Sequence, residues 1–220
     1  MNLMLRRRVM MTGSGQDPND YIKRGLVFHL DGADFDGTEW VDRVGGITYT
    51  TNISASATSD GGVALYESLL IGDGLVNVIY DVGTFEIVYK SNRTSSWDMV
   101  FFQGQHGYFM YAVTQGRASW HGGEKVETKV TGVTTSVFTH SLSNIHNYFN
   151  KESKGNGSVA TWKNLFSPSL IGRYPINYNY PTEYAAIGSL YQIRIYKRQL
   201  SFNEIMHNAE IDISKYNITL

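Results

Sequence analysis

The segment Arg173-Tyr-Pro-Ile-Asn-Tyr-Asn-Tyr-Pro-Thr-Glu-Tyr184 packs four tyrosines, two asparagines and an arginine into twelve residues. Tyrosine rings offer flat apolar faces to sugar rings, and asparagine and arginine offer hydrogen bonds to hydroxyl edges. Tyrosine serves protein interfaces equally well, being large, amphipathic and cheap to order. Arg173, Tyr174, Asn177, Tyr178, Tyr180 and Tyr184 are therefore candidate contacts for a glycan or a protein partner, with a plain tyrosine-rich connection as the third reading. A second candidate is the acidic loop Asp31-Gly-Ala-Asp-Phe-Asp-Gly37. Calcium takes several carboxylate and carbonyl oxygens, so Asp31, Asp34 and Asp36 are its candidate ligands. The spacing departs from the EF-hand loop, and the competing reading is an acidic turn whose aspartates bond their own backbone. Glycoside hydrolysis needs two carboxylates roughly 5–9.5 Å apart. Glu86 stands alone on its segment, and Glu124 and Glu127, three apart, point to opposite faces of a strand. There is no Gly-x-Ser-x-Gly elbow. The histidines at 29, 106, 121, 140, 146 and 207 are scattered and form no ligand pair. The absence of cysteine excludes disulfides, thiolate metal sites and cysteine nucleophiles. No catalytic residue is assigned, and the chain is expected not to be an enzyme.

Strand-like alternation supplies the scaffold for these residues. Leu26, Phe28 and Leu30 share one face of a run whose other face carries His29 and Asp31. Phe85, Ile87 and Tyr89 point inward where Glu86, Val88 and Lys90 point outward. Glu124 to Val130 sets Lys125, Glu127 and Lys129 toward water. Leu190 to Tyr196 sets Tyr191, Ile193 and Ile195 opposite Gln192 and Arg194. A period of two predicts sheets with one buried face, and two such sheets stack into a sandwich. Turn residues separate the runs at Gly45-Gly46, Asp60-Gly61-Gly62 and Gly72-Asp73-Gly74, and Lys154-Gly-Asn-Gly157 reads as a hairpin tip. A helix closes the chain. Ser201 and Glu204 form a capping box, Leu200 and Ile205 a hydrophobic staple, and Phe202, Ile205, Met206, Ala209 and Ile213 an apolar stripe that packs on the sandwich. The helix is expected to run about three turns.

Of 220 residues, 42% are hydrophobic and 18% charged, enough for a folded core in one domain. Aromatics at 13%, with 22 glycines and 4 prolines, lean toward β structure. A net charge of -1 gives no global basic excess for nucleic acid. No apolar run approaches the roughly 18 residues of a membrane span. Near the start, Arg6, Arg7 and Arg8 sit among four methionines. Only Val9, Met10 and Met11 follow, short of the roughly 7–15 apolar residues of a secretory signal. Residues 1–20 are therefore expected to form a flexible arm that docks on a partner through Arg6, Arg7 and Arg8, and residues 21–220 the domain. The sequons at Asn52, Asn92, Asn156 and Asn217 are read as high asparagine usage.

Gly25-Leu-Val-Phe-His-Leu-Asp-Gly32 with Trp40-Val-Asp42, and Gly188-Ser-Leu-Tyr-Gln-Ile-Arg-Ile-Tyr-Lys-Arg-Gln-Leu-Ser201 with Glu204-Ile-Met-His-Asn208, resemble the first and last strands and terminal helix of concanavalin A-like, laminin-G-like domains. The resemblance spans about Tyr21 to Tyr216. It implies an all-β, two-sheet antiparallel jelly-roll sandwich with one C-terminal helix, a fold that hosts lectins, glycosidases and virion parts alike. The Glu-x-Asp-x-x-Glu strand of glucanases resembling this fold is absent. The arm also resembles those of structural proteins of phages infecting gut bacteria. The expectation is thus a non-enzymatic virion decoration or fibre protein, assembled in a host cytoplasm without a signal peptide, partnered by other virion proteins or itself. The alternative is a bacterial carbohydrate-binding module that recognises surface glycans, and the third reading is a glycoside hydrolase with an unrecognised site.

Overall fold

A computed structural model describes residues 19–73, 83–92, 97–103, 109–114, 117–121, 126–129, 132–140, 145–157, 170–172 and 185–218. The strands in chain order are β1 (Leu26–Asp31), β2 (Glu39–Val41), β3 (Thr48–Ala57), β4 (Val63–Gly72), β5 (Gly83–Ser91), β6 (Trp97–Gln103) and β7 (Phe109–Thr114). There follow β8 (Arg117–His121), β9 (Val126–Lys129), β10 (Val133–His140), β11 (Ile145–Phe149), β12 (Glu152–Gly157), β13 (Leu170–Ile171) and β14 (Ile187–Tyr196), and the chain ends in α1 (Phe202–Tyr216). All strand pairs are antiparallel along the path β12-β11-β10-β5-β14-β4-β13-β6-β7-β8-β9, with β1 on β14 and β3 then β2 on β4.

β14 is the junction between two layers. On one side it pairs with β5 along Gly188–Tyr196; on the other it pairs first with β4 and then, from Gln192, with β1. The two ends of the path, β12 and β9, lie against each other, so the sheet is folded over on itself. The core fills the gap between the layers. Phe28, Leu30, Phe85, Ile87, Phe138, Phe149, Ile193 and Ile195 from one layer meet Trp40, Tyr49, Val63, Leu65, Leu70, Val100 and Ile171 from the other. This is the two-sheet sandwich that the alternation predicts, in the jelly-roll class that the resemblance implies.

The capping box forms as expected. Ser201 Oγ accepts from the Glu204 N–H and Glu204 Oε2 accepts from the Ser201 N–H at 2.8 Å. The helix runs 15 residues, a turn longer than expected, and stops where Asn217 turns left-handed at φ 50°. Phe202 lies outside the buried stripe and is 54% exposed. The buried line is Ile205, Asn208, Ala209, Asp212 and Tyr216, so two of its five residues, Asn208 and Asp212, are polar.

That polar line corrects the expected faces. The outer face of the β5–β14 layer is not wet, because α1 lies over it. Glu86, Val88, Gln192 and Arg194 are all buried, as are His29 and Asp31. Tyr191 is also on this side, not with Ile193. The ladder slips between Leu190 and Gln192, and this bulge turns two successive side chains outward. Tyr191 consequently packs with Val88, Tyr216 and Ile218 under the helix. The hairpin tip also moves. Lys154 to Gly157 belong to β12, and the two-residue turn is Asn150-Lys151, both at positive φ of 45° and 72°. Successive positive φ values give the type I′ twist that matches paired strands.

Candidate functional site

The acidic loop is committed to the protein's own groups. Asp31 Oδ2 meets Lys215 Nζ at 2.8 Å and an Arg43 nitrogen at 3.0 Å, while Asp31 Oδ1 accepts from the Ala33 N–H. Burial works to raise the Asp31 carboxyl, but Lys215 and Arg43 more than reverse it and hold it below its ordinary value. Asp34 takes a two-pronged contact from Arg43, at 2.5 and 2.9 Å. Asp36 accepts from the N–H groups of Glu39 and Thr38, which lower its carboxyl. Among the described residues no group of three or more acidic or histidine side chains could hold a metal ion. The geometry is that of the acidic turn with aspartates bonded to backbone and basic neighbours.

Glu86 sits in a sealed polar layer between α1 and the sheet. Arg194, 1% exposed, donates from Nε to Glu86 at 2.7 Å and through both terminal nitrogens to Asp212 at 2.9 and 2.5 Å. It also donates to the Gln192 side-chain Oε1 and stacks 4.0 Å over the Tyr21 ring. Asn208 Nδ2 donates to Glu86 at 2.9 Å, and the Tyr21 hydroxyl donates to Asp212 at 3.0 Å. Burial pushes the Glu86 carboxyl up and Asp212 adds to the rise; Arg194 opposes both. Burial pulls the Arg194 guanidinium down, but Asp212 and Glu86 carry it well above its ordinary value. Apolar clusters flank this layer, with Ile22, Val137, Tyr196, Leu200 and Ile205 at one end and Val88, Tyr191, Tyr216 and Ile218 at the other. The layer has the chemistry of a helix dock, with Glu86 1% exposed among the described residues.

Arg173, Tyr174, Asn177, Tyr178, Tyr180 and Tyr184 lie outside the described residues, as do Arg6, Arg7 and Arg8. The residues that bracket the tyrosine segment are described, and they meet at one place. The Ala186 N–H donates to the Gly172 carbonyl at 2.6 Å, and the Glu67 N–H donates to the Ala186 carbonyl at 3.1 Å. Gly172, at φ 91°, presses on β4 so closely that a Cβ would stand 2.4 Å from the Ser68 carbonyl oxygen. Gly172 and Ala186, which flank residues 173–184, therefore meet beside the stretch Tyr66-Glu67-Ser68.

That stretch is a kink within β4. Glu67 adopts a left-handed φ of 55°, and the Tyr66 N–H donates to Ser68 Oγ at 3.0 Å. The Ser68 hydroxyl donates in turn to the Ser54 carbonyl. Tyr66 stands 72% exposed on the outer sheet face. It pairs across the ladder with Ile187, and the next row holds Lys90, Ser189, Ala64 and Ser56. Nearby, Asp60 accepts from Thr58 Oγ1 and the Tyr191 hydroxyl, at 2.5 and 2.8 Å; these bonds lower its carboxyl, with Lys90 contributing. Tyr66 escapes a reading by residue type, since a lone tyrosine in a strand is ordinary. The available signal is a phase break: Val63 and Leu65 face the core, then Ser68 and Leu70, so one step is three residues long.

No protein-family model and no curated protein matches the chain. Solved structures do. The sialidase of Trypanosoma rangeli, in complex with sialic acid, aligns with TM-score 0.63 and 13% identity over 84% of this chain and 32% of that one. The binding domain of botulinum neurotoxin serotype D aligns with TM-score 0.65 and 12% identity over 86% of this chain and 51% of that one. The binding domain of botulinum neurotoxin DC in complex with SialylT gives 0.61 and 12%, over 89% and 52%. The chain thus spans about a third of the sialidase and about half of the toxin domains. At such identities the likeness establishes the sandwich fold alone. The virion role expected from the sequence draws no support from these matches.

Proposed function

We propose that the domain is a lectin-like carbohydrate-binding module without catalytic activity. The observation that carries this reading is the sandwich itself. It aligns over 84–89% of the chain with a sialidase solved with sialic acid and with a toxin binding domain solved with SialylT. Because fold does not fix function, two features of this chain matter as well. The tyrosine-bearing kink of β4 offers an exposed aromatic ring, and the burial of Glu86 against Arg194 and Asn208 supports the non-catalytic reading.

The test is retention of purified protein on a printed panel of neutral and sialylated oligosaccharides and on immobilised polysaccharides, followed by an assay for reducing ends. Binding without release of sugar is the expected result. Absence of binding across the panel refutes the glycan reading. Turnover that disappears in Glu86→Gln refutes the non-catalytic one.

A further inference from the structure

We propose that Tyr66 is the stacking platform of the domain, and that its ligand is the apolar C–H face of a neutral pyranose. This rests on the glycan-binding reading above and gives it a site.

The backbone beside Tyr66 departs from regular strand geometry at Glu67. Glu67 at φ 55° is a non-glycine residue in the left-handed region, where its Cβ crowds the backbone. Strain of this kind persists where the surroundings fix it, and it concentrates at functional sites. Here three hydrogen bonds fix it: Tyr66 N–H to Ser68 Oγ, Ser68 Oγ to the Ser54 carbonyl, and Glu67 N–H to the Ala186 carbonyl. The kink keeps Ser68 buried on one side while Tyr66 stands 72% exposed on the other. The hydrogen-bonded backbone fixes the base of the ring, so binding has only side-chain freedom left to lose there.

The surroundings suit a flat ligand. α1 covers the outer face of β14 only as far as Tyr191, where Tyr216 and Ile218 pack. The next row along, Lys90-Ser189-Ala64-Ser56, is built mostly of small side chains, and Tyr66 and Ile187 form the row after it. A ring lying on Tyr66 would thus extend over alanine and serine. The charges do not favour an acid. Glu67 places a carboxylate in the kink itself, and Lys90, one row away opposite Ser189, offsets it with a single positive charge. A neutral sugar with an uninterrupted C–H face satisfies both conditions.

The experiment takes the neutral oligosaccharide that the panel retains best and measures its affinity for the full chain by calorimetry. Tyr66→Ala should weaken binding about tenfold or more, and Tyr66→Phe and Tyr66→Trp should stay within about threefold, because the ring face and not the hydroxyl does the contacting. The melting temperature of Tyr66→Ala should match the parent, since the side chain is exposed. Saturation-transfer NMR should show pyranose C–H protons, not hydroxyl-bearing substituents alone, nearest the protein. Undiminished binding by Tyr66→Ala overturns the platform and leaves the glycan reading intact, and so does a panel on which only sialylated sugars bind. A panel with no binding at all removes both.

Discussion

Replacing Arg194 by methionine should destabilise the protein by about 3–5 kcal/mol, the cost of leaving buried charge without its partner. The arithmetic follows from the layer beneath α1. One guanidinium faces two carboxylates, Glu86 and Asp212, at 2.5–2.9 Å, and all three side chains are at most 1% exposed. Arg194→Met retains the apolar stem and removes the cation, so both carboxylates lose their counter-charge and Gln192 loses a donor. The two acids are not equivalent. Glu86 is pushed up by burial and by Asp212. A carboxyl raised in the folded state costs stability near neutral pH, where the unfolded chain ionises it freely. Glu86→Gln should therefore cost under about 1 kcal/mol at pH 7, or add stability, because the Arg194–Asp212 pair stays intact. Asp212→Asn, which breaks the two-pronged contact, should fall between these variants. Guanidinium unfolding followed by tryptophan fluorescence and circular dichroism gives the three values. The Arg194→Met midpoint should drop by roughly 6–20 °C in a thermal scan, at about 2–4 °C per kcal/mol for a chain of this size. A cost below about 1 kcal/mol for Arg194→Met, or a larger loss for Glu86→Gln than for Asp212→Asn, would show that the layer is hydrated and that the reasoning is wrong. The apolar triple variant Arg194→Met, Glu86→Leu, Asp212→Leu should recover much of the stability that Arg194→Met alone loses.

Ser201→Ala should cost on the order of 1 kcal/mol, measured by the same unfolding curves, and no loss would mean that the box does not start α1. Acid should weaken the fold through His29, whose imidazole burial, Arg194 and Arg43 pull down from 6.5 to about 3 against a weaker opposing pull from Asp31. Between those values the unfolded chain holds a proton that the folded chain refuses, so stability falls as pH drops, by up to ~1.4 kcal/mol per pH unit. Imidazole resonances of His29 that titrate near pH 6.5 would contradict this. Glu204, lowered to about 2 chiefly by Arg198, acts in the same direction at lower pH, its contribution full above about 4.5 and lost as pH falls toward 2. Calcium or a chelator should leave the melting temperature unchanged, because Lys215, Arg43 and backbone N–H groups already occupy Asp31, Asp34 and Asp36; a shift of several degrees would reopen the calcium reading.

The fold was legible because its determinants are local and repeated. Phe28 and Leu30, Phe85 and Ile87, and Ile193 and Ile195 obey the period of two and lie together in the core. The capping box likewise depends on residues three apart. What the alternation could not supply was what lies on the far side of a strand. Glu86, Gln192 and Arg194 read as wet because they are polar, yet a helix more than a hundred residues from Glu86 in sequence covers them. The mark of that cover is in α1, where Asn208 and Asp212 are four apart on the same face as Ile205 and Tyr216. A polar stripe within an otherwise apolar one calls for complementary polar groups, and the strand beneath provides Arg194. The Tyr191 error has a different origin. A bulge adds one residue to the count, and nothing in Leu190-Tyr-Gln-Ile announces it.

Bulges also explain why the candidate site was harder to read than the fold. In β14 the extra residue turns Tyr191 toward α1, where its hydroxyl reaches Asp60 at 2.8 Å. In β4 Tyr66 keeps the outward phase of Ala64 on the same sheet face, and the extra step at Glu67 returns Ser68 to the core side. The two irregularities lie on adjacent strands, on either side of the row that holds Ser189 and Ala64. Together they divide one face of the sandwich into a part sealed by the helix and a part left open beside an aromatic ring. A regular ladder would have kept both tyrosines in phase with the core or with the bulk surface. The irregular one separates a surface that α1 covers from the exposed ring of Tyr66, and this division underlies both the Arg194 and the Tyr66 predictions.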